Sequence, residues 1–98
     1  MTSKSLDWPS FLKQCRALPQ QAQQSLFDLA LTDQEQQAIV TRLAIFTALL
    51  QNMQSQRELA KELSVSIATI TRCSNYLKQL PQQEREAITS ILLHQMKP

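Results

Sequence analysis

Apolar residues recur three and four positions apart along most of this chain, a spacing that places them on one face of an α-helix. The first such face consists of Trp8, Phe11, Leu12, Cys15 and Leu18. Pro9 fits only in the first turn of that helix, because later turns need the N–H that proline lacks. Pro19 interrupts the pattern and starts a second predicted helix, which ends near Leu31. Residues 1–6 lack the pattern and are predicted to form a flexible polar tail.

The third predicted helix is the longest and begins with a capping box at residues 32–35, TDQE. In such a box the threonine hydroxyl and the glutamate carboxylate each accept a hydrogen bond from the other residue's backbone N–H. One line along the helix is apolar and consists of Ile39, Leu43, Phe46, Leu50 and Met53. Ala38, Ile45 and Leu49 lie beside that line. A stripe this wide is predicted to pack against more than one neighbour.

Residues 55–77 have the pattern of two short helices joined by a tight turn, which is the layout of a helix-turn-helix. Residues 55–58, SQRE, form a second capping box. Ala60 supplies the small side chain that two crossing helices need. Ile67, Ile70 and Leu77 are predicted to form the apolar face of the second helix. Ser64 stands in the turn, where glycine is the usual residue, and the sequence contains no glycine.

Pro81 starts a sixth predicted helix, whose apolar face is Ile88, Ile91, Leu92 and Met96. No stretch shows the alternation of a β-strand, so the predicted fold class is all-α. A length of 98 residues fits a single helical domain over residues 1–98.

The second helix of the helix-turn-helix has a short, polar outward face made of Ala68, Thr69, Thr71 and Arg72. Hydroxyl and methyl groups suit base edges in the major groove, and arginine suits guanine or a phosphate. Arg57 and Lys61 on the first helix would face backbone phosphates, which position a protein without reading sequence. The structural alternative is a plain pair of packed helices with polar outer faces.

Composition and charge narrow the function further. The net charge of +2 and the pI near 8.7 permit nucleic-acid binding without arguing for it. Cys15 and Cys73 are far apart and only His94 could join them, so no metal site is expected. Without a signal peptide or a membrane span, the thiols are expected to be reduced in the cytoplasm. Phosphate-binding glycine loops and nucleophile–base pairs are also missing, so the protein is not expected to be an enzyme.

Residues 31–42, LTDQEQQAIVTR, and residues 55–72, SQRELAKELSVSIATITR, resemble the tryptophan repressor family of bacteria. The most specific parts are QREL at 56–59 and IATITR at 67–72. The resemblance implies an intertwined homodimer with six helices in each chain, which represses transcription from palindromic operator DNA. The two recognition helices then enter successive major grooves about 34–36 Å apart.

The resemblance also implies which positions face the DNA: Gln56, Arg57, Ile67, Ala68, Thr69, Thr71 and Arg72. Ala60 departs from the family, whose members often have lysine there. Loss of that cation would remove a phosphate contact and lower the salt dependence of binding. The adjacent Lys61 points about a quarter-turn away and is the nearest substitute.

The family's co-repressor is L-tryptophan, which lies between the long helix and the recognition helix. Arg42 and Arg72 match the two arginines that flank the indole, and arginine both stacks on aromatic rings and pairs with carboxylates. Thr32 matches the hydroxyl that contacts the ligand carboxylate. The carbonyl groups of Leu29 and Leu31 match those that accept from its ammonium group.

Two residues in this implied ligand site depart from the family. Cys73 replaces a glycine that leaves room for the indole, and Tyr76 replaces a serine that helps hold the amine. Three outcomes are therefore open: tryptophan binds in a shifted position, a different effector binds, or Tyr76 fills the pocket and makes DNA binding independent of ligand. The alternative from another functional class is a helical dimerisation or interaction module that does not bind DNA.

Overall fold

The computed structural model describes residues 5–96. Of the predicted tail, residues 5 and 6 are described and are not helical, whereas residues 1–4 lie outside the described residues. The described residues contain no strand, which confirms the all-α class. Their six α-helices, the last of which continues as a π-helical turn at Ile91–Gln95, are α1 (Trp8–Arg16), α2 (Gln20–Ala30), α3 (Asp33–Gln51), α4 (Gln56–Leu63), α5 (Ile67–Gln79) and α6 (Gln82–Ser90). None of the described helices is long and apolar enough to cross a membrane.

Backbone contacts divide the chain into two compact units, Met1–Gln36 and Gln37–Pro98, and the prediction of a single domain stays a prediction. In the N-terminal unit, the Phe11 ring lies 5.4 Å from that of Trp8 and 6.3 Å from that of Phe27, measured between centroids. The Gln23 amide donates to the carbonyl oxygens of Cys15 and Leu18, at 3.0 Å each. These contacts join α1 to α2.

Both predicted capping boxes form. Thr32 Oγ1 accepts from the N–H of Glu35 at 3.1 Å, and Glu35 Oε1 accepts from the N–H of Thr32 at 2.9 Å. Ser55 and Glu58 make the same reciprocal pair at the start of α4, at 3.1 and 3.0 Å. Because these bonds stabilise the charged carboxylates, the pKa values of Glu35 and Glu58 are lowered. The boxes define where α3 and α4 begin.

The core of the C-terminal unit lies between α3 and the helix-turn-helix. Ile45 of α3 and Ile70 of α5 are 1% and 0% exposed, and they pack with Leu59, Ala60 and Cys73. The buried position of Ala60 agrees with its predicted place at the helix crossing. The residues on α4 and α5 therefore share one core with the middle of α3.

The predicted apolar line on α3 was partly wrong. Ile45 was placed beside the line, yet it is the most buried residue of the helix, whereas Ile39 is exposed. Met53 was placed on the line but follows the helix, which ends at Gln51, and it is 84% exposed. Asn52 has a φ of 53°, and this left-handed residue starts the linker. A nearly continuous apolar stripe does not indicate which of its rows faces the helix-turn-helix.

The turn between α4 and α5 contains a residue with left-handed backbone conformation, at the position where helix-turn-helix motifs usually have glycine. Ser64 has φ 56° and ψ 43°, and the next N–H, that of Val65, donates to the carbonyl of Ala60 at 3.0 Å. Ser66 then caps α5, since its Oγ accepts from the N–H of Thr69 at 3.1 Å. Ile67 was wrongly assigned to the apolar face: it is in the first turn and 45% exposed.

The sixth helix also differs from its predicted face. Leu92 is buried, but Ile91 and Met96 are exposed, and Met96 lies beyond the helical residues. The helical spacing on which the predicted face rests ends at Ser90, because Ile91 starts the π-helical turn and Met96 has an extended backbone. Arg85 of α6 donates from Nη1 to the carbonyl oxygen of Leu77 at 2.8 Å, which links α6 to the end of α5.

A candidate DNA-binding face and an adjoining cleft

The predicted DNA-contacting side chains lie at the surface of the helix-turn-helix. α4 contributes Gln56, Arg57 and Lys61, all of them exposed. α5 contributes Ile67, Ala68, Thr71 and Arg72, which are exposed, and Thr69, which is half-buried. Ile67 was predicted both to join the apolar face and to contact DNA. Its exposure contradicts the first prediction and is compatible with the second.

One hydrogen bond on this face joins the two helices, and others order the start of α5. The Thr71 hydroxyl donates to Gln56 Oε1 at 3.2 Å, which leaves the amide N–H groups of Gln56 available to an acceptor. Arg72 Nη2 donates to Thr69 Oγ1 at 3.4 Å, and that oxygen also shares a hydrogen bond of 2.9 Å with Ser66 Oγ. The face thus contains two hydrogen-bonded groups, Thr71 with Gln56 and Arg72 with Thr69 and Ser66.

Arg72 also lines a cleft of about 610 Å³ between α3 and α5, a volume that suits a small organic ligand. Its lining consists of Arg42 and Phe46 from α3 with Thr69, Arg72, Cys73 and Tyr76 from α5. The lining contains two guanidinium groups, two aromatic rings and no carboxylate. Such a lining suits a planar aromatic molecule that carries a carboxylate.

Cys73 and Tyr76, the two departures predicted to lie in the ligand site, both line this cleft. The Tyr76 side chain is 56% exposed, and its ring lies 6.0 Å from the Phe46 ring between centroids, at an interplanar angle of 53°. Cys73 is buried, and burial raises the pKa of its thiol more than the charges of Arg42 and Arg72 lower it. The thiol is therefore protonated near neutral pH, and it packs against the core as a small apolar group.

Phe46 was missed as a lining residue because its place in the apolar stripe of α3 explained it as a core residue. Its spacing from Arg42 was the available signal. The two residues are four apart on α3, so they lie on the same side of the helix.

The other three predicted ligand-contacting residues lie in the N-terminal unit, where α2 ends and α3 begins. The Leu31 carbonyl accepts from the Gln36 amide at 3.4 Å, and Leu29 is exposed. Thr32 Oγ1 accepts from the backbone in the capping box and keeps its own hydrogen to donate. Their roles at a ligand stay predictions.

The side chains of residues 5–96 do not supply the ligand groups that a metal ion needs. No group of three or more His, Cys, Asp or Glu residues in that range is placed to hold a metal ion. Both cysteines are buried and are not joined in a disulfide.

Comparison with known proteins shows the family. A family model described as Trp repressor protein matches residues 6–92. A protein named Trp operon repressor homolog from Vibrio atlanticus (strain LGP32) is 41% identical over 70 residues, 71% of each chain. Proteins of the same name from Vibrio cholerae and Aliivibrio fischeri (strain MJ11) are 38% and 36% identical over 78 and 92 residues. Those matches cover 80% and 93% of this chain and 76% and 85% of the relatives.

These matches confirm the resemblance found in the sequence and the expectation of a regulator rather than an enzyme. The chain belongs to the Trp repressor protein family and is a transcriptional regulator of the tryptophan repressor type.

Proposed function

We propose that this protein is a homodimeric repressor that binds palindromic operator DNA through α5, with L-tryptophan as its co-repressor. The observation that carries the proposal is the double position of Arg72, which lines the cleft and is exposed beside Thr69 on the face predicted to meet DNA. One side chain can thus respond to a ligand and to a phosphate or a base. Such a regulator acts on chromosomal DNA, so its proposed location is the cytoplasm.

Ligand binding would act by fixing α5 against α3. A molecule in the cleft contacts Arg42 and Phe46 on one helix and Arg72 on the other, so it favours one angle between them. The two recognition helices of a dimer must match the spacing of successive major grooves, and that angle decides whether they do. The coupling is reciprocal: operator DNA must raise ligand affinity by the factor by which ligand raises operator affinity.

The choice of L-tryptophan rests on the family and on the chemistry of the cleft. The two guanidinium groups suit its carboxylate, and the two rings suit its indole. Tyr76 forms a wall beside an open cleft, which favours an effector over a pocket filled by its own side chain. Cys73 and Tyr76 nevertheless reduce the space, so titrations with L-phenylalanine and L-tyrosine test the alternative of another effector.

Exposed apolar side chains support the homodimer. Leu6, Trp8 and Leu29 in the N-terminal unit and Val40 in the C-terminal unit are more than half exposed. Large apolar side chains exposed in this way are typical of residues that an interface covers, and a second copy of the chain is the proposed partner. Light scattering on the purified protein should give the mass of two chains, and a monomer at micromolar concentration would contradict the proposal.

The Arg72→Ala variant tests the shared role of this arginine. It should weaken operator binding and L-tryptophan binding together, because the guanidinium is lost from both surfaces. Arg57→Ala is the matched control: Arg57 is exposed on α4 and does not line the cleft, so only operator binding should fall. Isothermal titration with L-tryptophan and anisotropy with operator DNA measure the two effects. An Arg72→Ala variant that binds tryptophan normally would refute the shared role.

A further inference from the structure

A second cleft in the C-terminal unit has no role in the function proposed so far. Its volume is about 470 Å³. It lies where the end of α3, the 52–54 linker, the start of α4, the last turns of α5 and the first turn of α6 meet. The polar part of its lining includes Gln54, Gln56, Ser74, Lys78 and Arg85. The lining contains two cationic side chains and no carboxylate, so its chemistry favours an anion.

The donors in this cleft are held in place by hydrogen bonds that leave some of their N–H groups available. Arg85 uses Nη1 to bind the carbonyl of Leu77 at 2.8 Å, which positions the guanidinium and leaves its other N–H groups for an acceptor. Gln56 accepts from Thr71 through Oε1, so its amide N–H groups remain available. Gln54 donates one of its amide N–H groups to the carboxylate of Glu62, a residue outside the lining.

Two further observations indicate what kind of anion fits. An arginine and a lysine that line one cleft, Arg85 and Lys78, match the several oxygens of a phosphate group. Gln56 belongs both to this cleft and to the candidate DNA-binding face, so the cleft continues that face beyond the recognition surface of α5. We propose that Lys78 and Arg85 bind a backbone phosphate of the operator in this cleft, and this proposal rests on the proposed DNA-binding function.

Such a contact would fix the C-terminal end of the recognition helix. Arg85 already joins α6 to the last turn of α5 through the Leu77 carbonyl. A phosphate held by the same guanidinium therefore connects the DNA to both helices. Because the contact is made to the backbone, it strengthens binding to all sequences and contributes no base specificity.

The Lys78→Gln variant is the primary test, because it removes one cation of the cleft. In a plot of log affinity against log salt concentration, each lost phosphate contact should reduce the slope by about 0.9. Affinity should fall by a similar factor for operator and for unrelated duplexes, while affinity for L-tryptophan stays unchanged. Lys13→Gln is the control: it makes the same charge change on α1, outside this cleft, and should keep the full slope.

Arg85→Gln provides a second variant, whose folding must be followed because Arg85 also bonds to Leu77. Circular dichroism melting identifies any loss of folding, and a folded variant should show the same reduced slope. Slopes equal to that of Lys13→Gln in both variants would overturn the phosphate contact while leaving the proposed repressor intact. If the unaltered protein bound no operator even at low salt, the proposed function would fail together with this site.

Inorganic phosphate distinguishes the two sources of this chemistry. Added to the free protein, it should shift the NMR signals of the Gln56 amide and the Arg85 guanidinium only at millimolar concentration, as expected of a site that needs the rest of the DNA. Saturation at micromolar phosphate, with no change of salt slope in Lys78→Gln, would overturn the DNA contact and identify a site for a small anion.

Discussion

The Tyr76→Ser variant tests how firmly the protein holds α5 against α3 without a ligand. Tyr76 of α5 and Phe46 of α3 contact each other with ring centroids 6.0 Å apart. The two rings form one wall of the open cleft and join the two helices there, so the contact holds α5 against α3 when no effector is bound. We therefore expect the unaltered protein to keep part of its operator affinity without L-tryptophan, and the serine variant to lose that part.

The size of the effect follows from the contact. An aromatic pair of this geometry contributes about 0.5–1.5 kcal/mol beyond the burial of its area. Since about 1.4 kcal/mol is a factor of ten, operator affinity without ligand should fall about two- to tenfold. With saturating L-tryptophan, the ligand takes the place of the missing ring and operator affinity should change little. The stimulation by tryptophan should therefore increase by about the same two- to tenfold factor.

Fluorescence anisotropy with a labelled operator measures both affinities at one salt concentration. Tyr76→Phe is the matched control, because it keeps the ring contact with Phe46 and removes only the hydroxyl. It should behave like the unaltered protein. Equal operator affinity without ligand in Tyr76→Ser and in the unaltered protein would refute the idea that the aromatic contact holds α5.

Three further predictions concern backbone strain and titration. Ser64→Gly should stabilise the fold by about 1 kcal/mol, because Ser64 has a left-handed backbone conformation that glycine adopts without strain. Asn52→Gly should stabilise it less, because asparagine already tolerates that conformation. Thermal melting of both variants at equal protein concentration compares them. Burial raises the pKa of Cys73, so its protonated thiol should stabilise the fold, and this contribution should be lost as the pH rises above the ordinary thiol pKa of about 8.5. In urea titrations, Cys73→Ala should abolish that pH dependence. The hydrogen bonds from Ser55 lower the pKa of Glu58, so its carboxylate should add stability that disappears as the pH falls below the ordinary glutamate pKa of about 4.3. NMR titration should give a Glu58 pKa below that ordinary value.

The parts of the fold that the sequence predicted are those determined by a few neighbouring residues. A capping box needs only residues that are three apart, so Thr32 and Ser55 marked the starts of α3 and α4 correctly. The same holds for Pro9 in the first turn of α1 and for the turn that Ser64 makes between α4 and α5. No information from distant parts of the chain was required at these positions.

The features that the sequence did not predict depend on packing between distant residues. Ile45 is buried because the helix-turn-helix packs against its row of α3, and the apolar pattern of α3 alone allowed other rows. Phe46 lines the cleft and contacts Tyr76, thirty positions away in sequence. Arg85 binds the end of α5 from another helix, and no local motif marked it.

The most direct test of a tryptophan-controlled repressor measures binding of the protein to an operator-like palindrome by fluorescence anisotropy, with and without saturating L-tryptophan. We expect salt-dependent binding that L-tryptophan tightens severalfold beyond the affinity of the ligand-free protein. The result that would contradict this expectation is the absence of binding at low salt, or an affinity that L-tryptophan leaves unchanged.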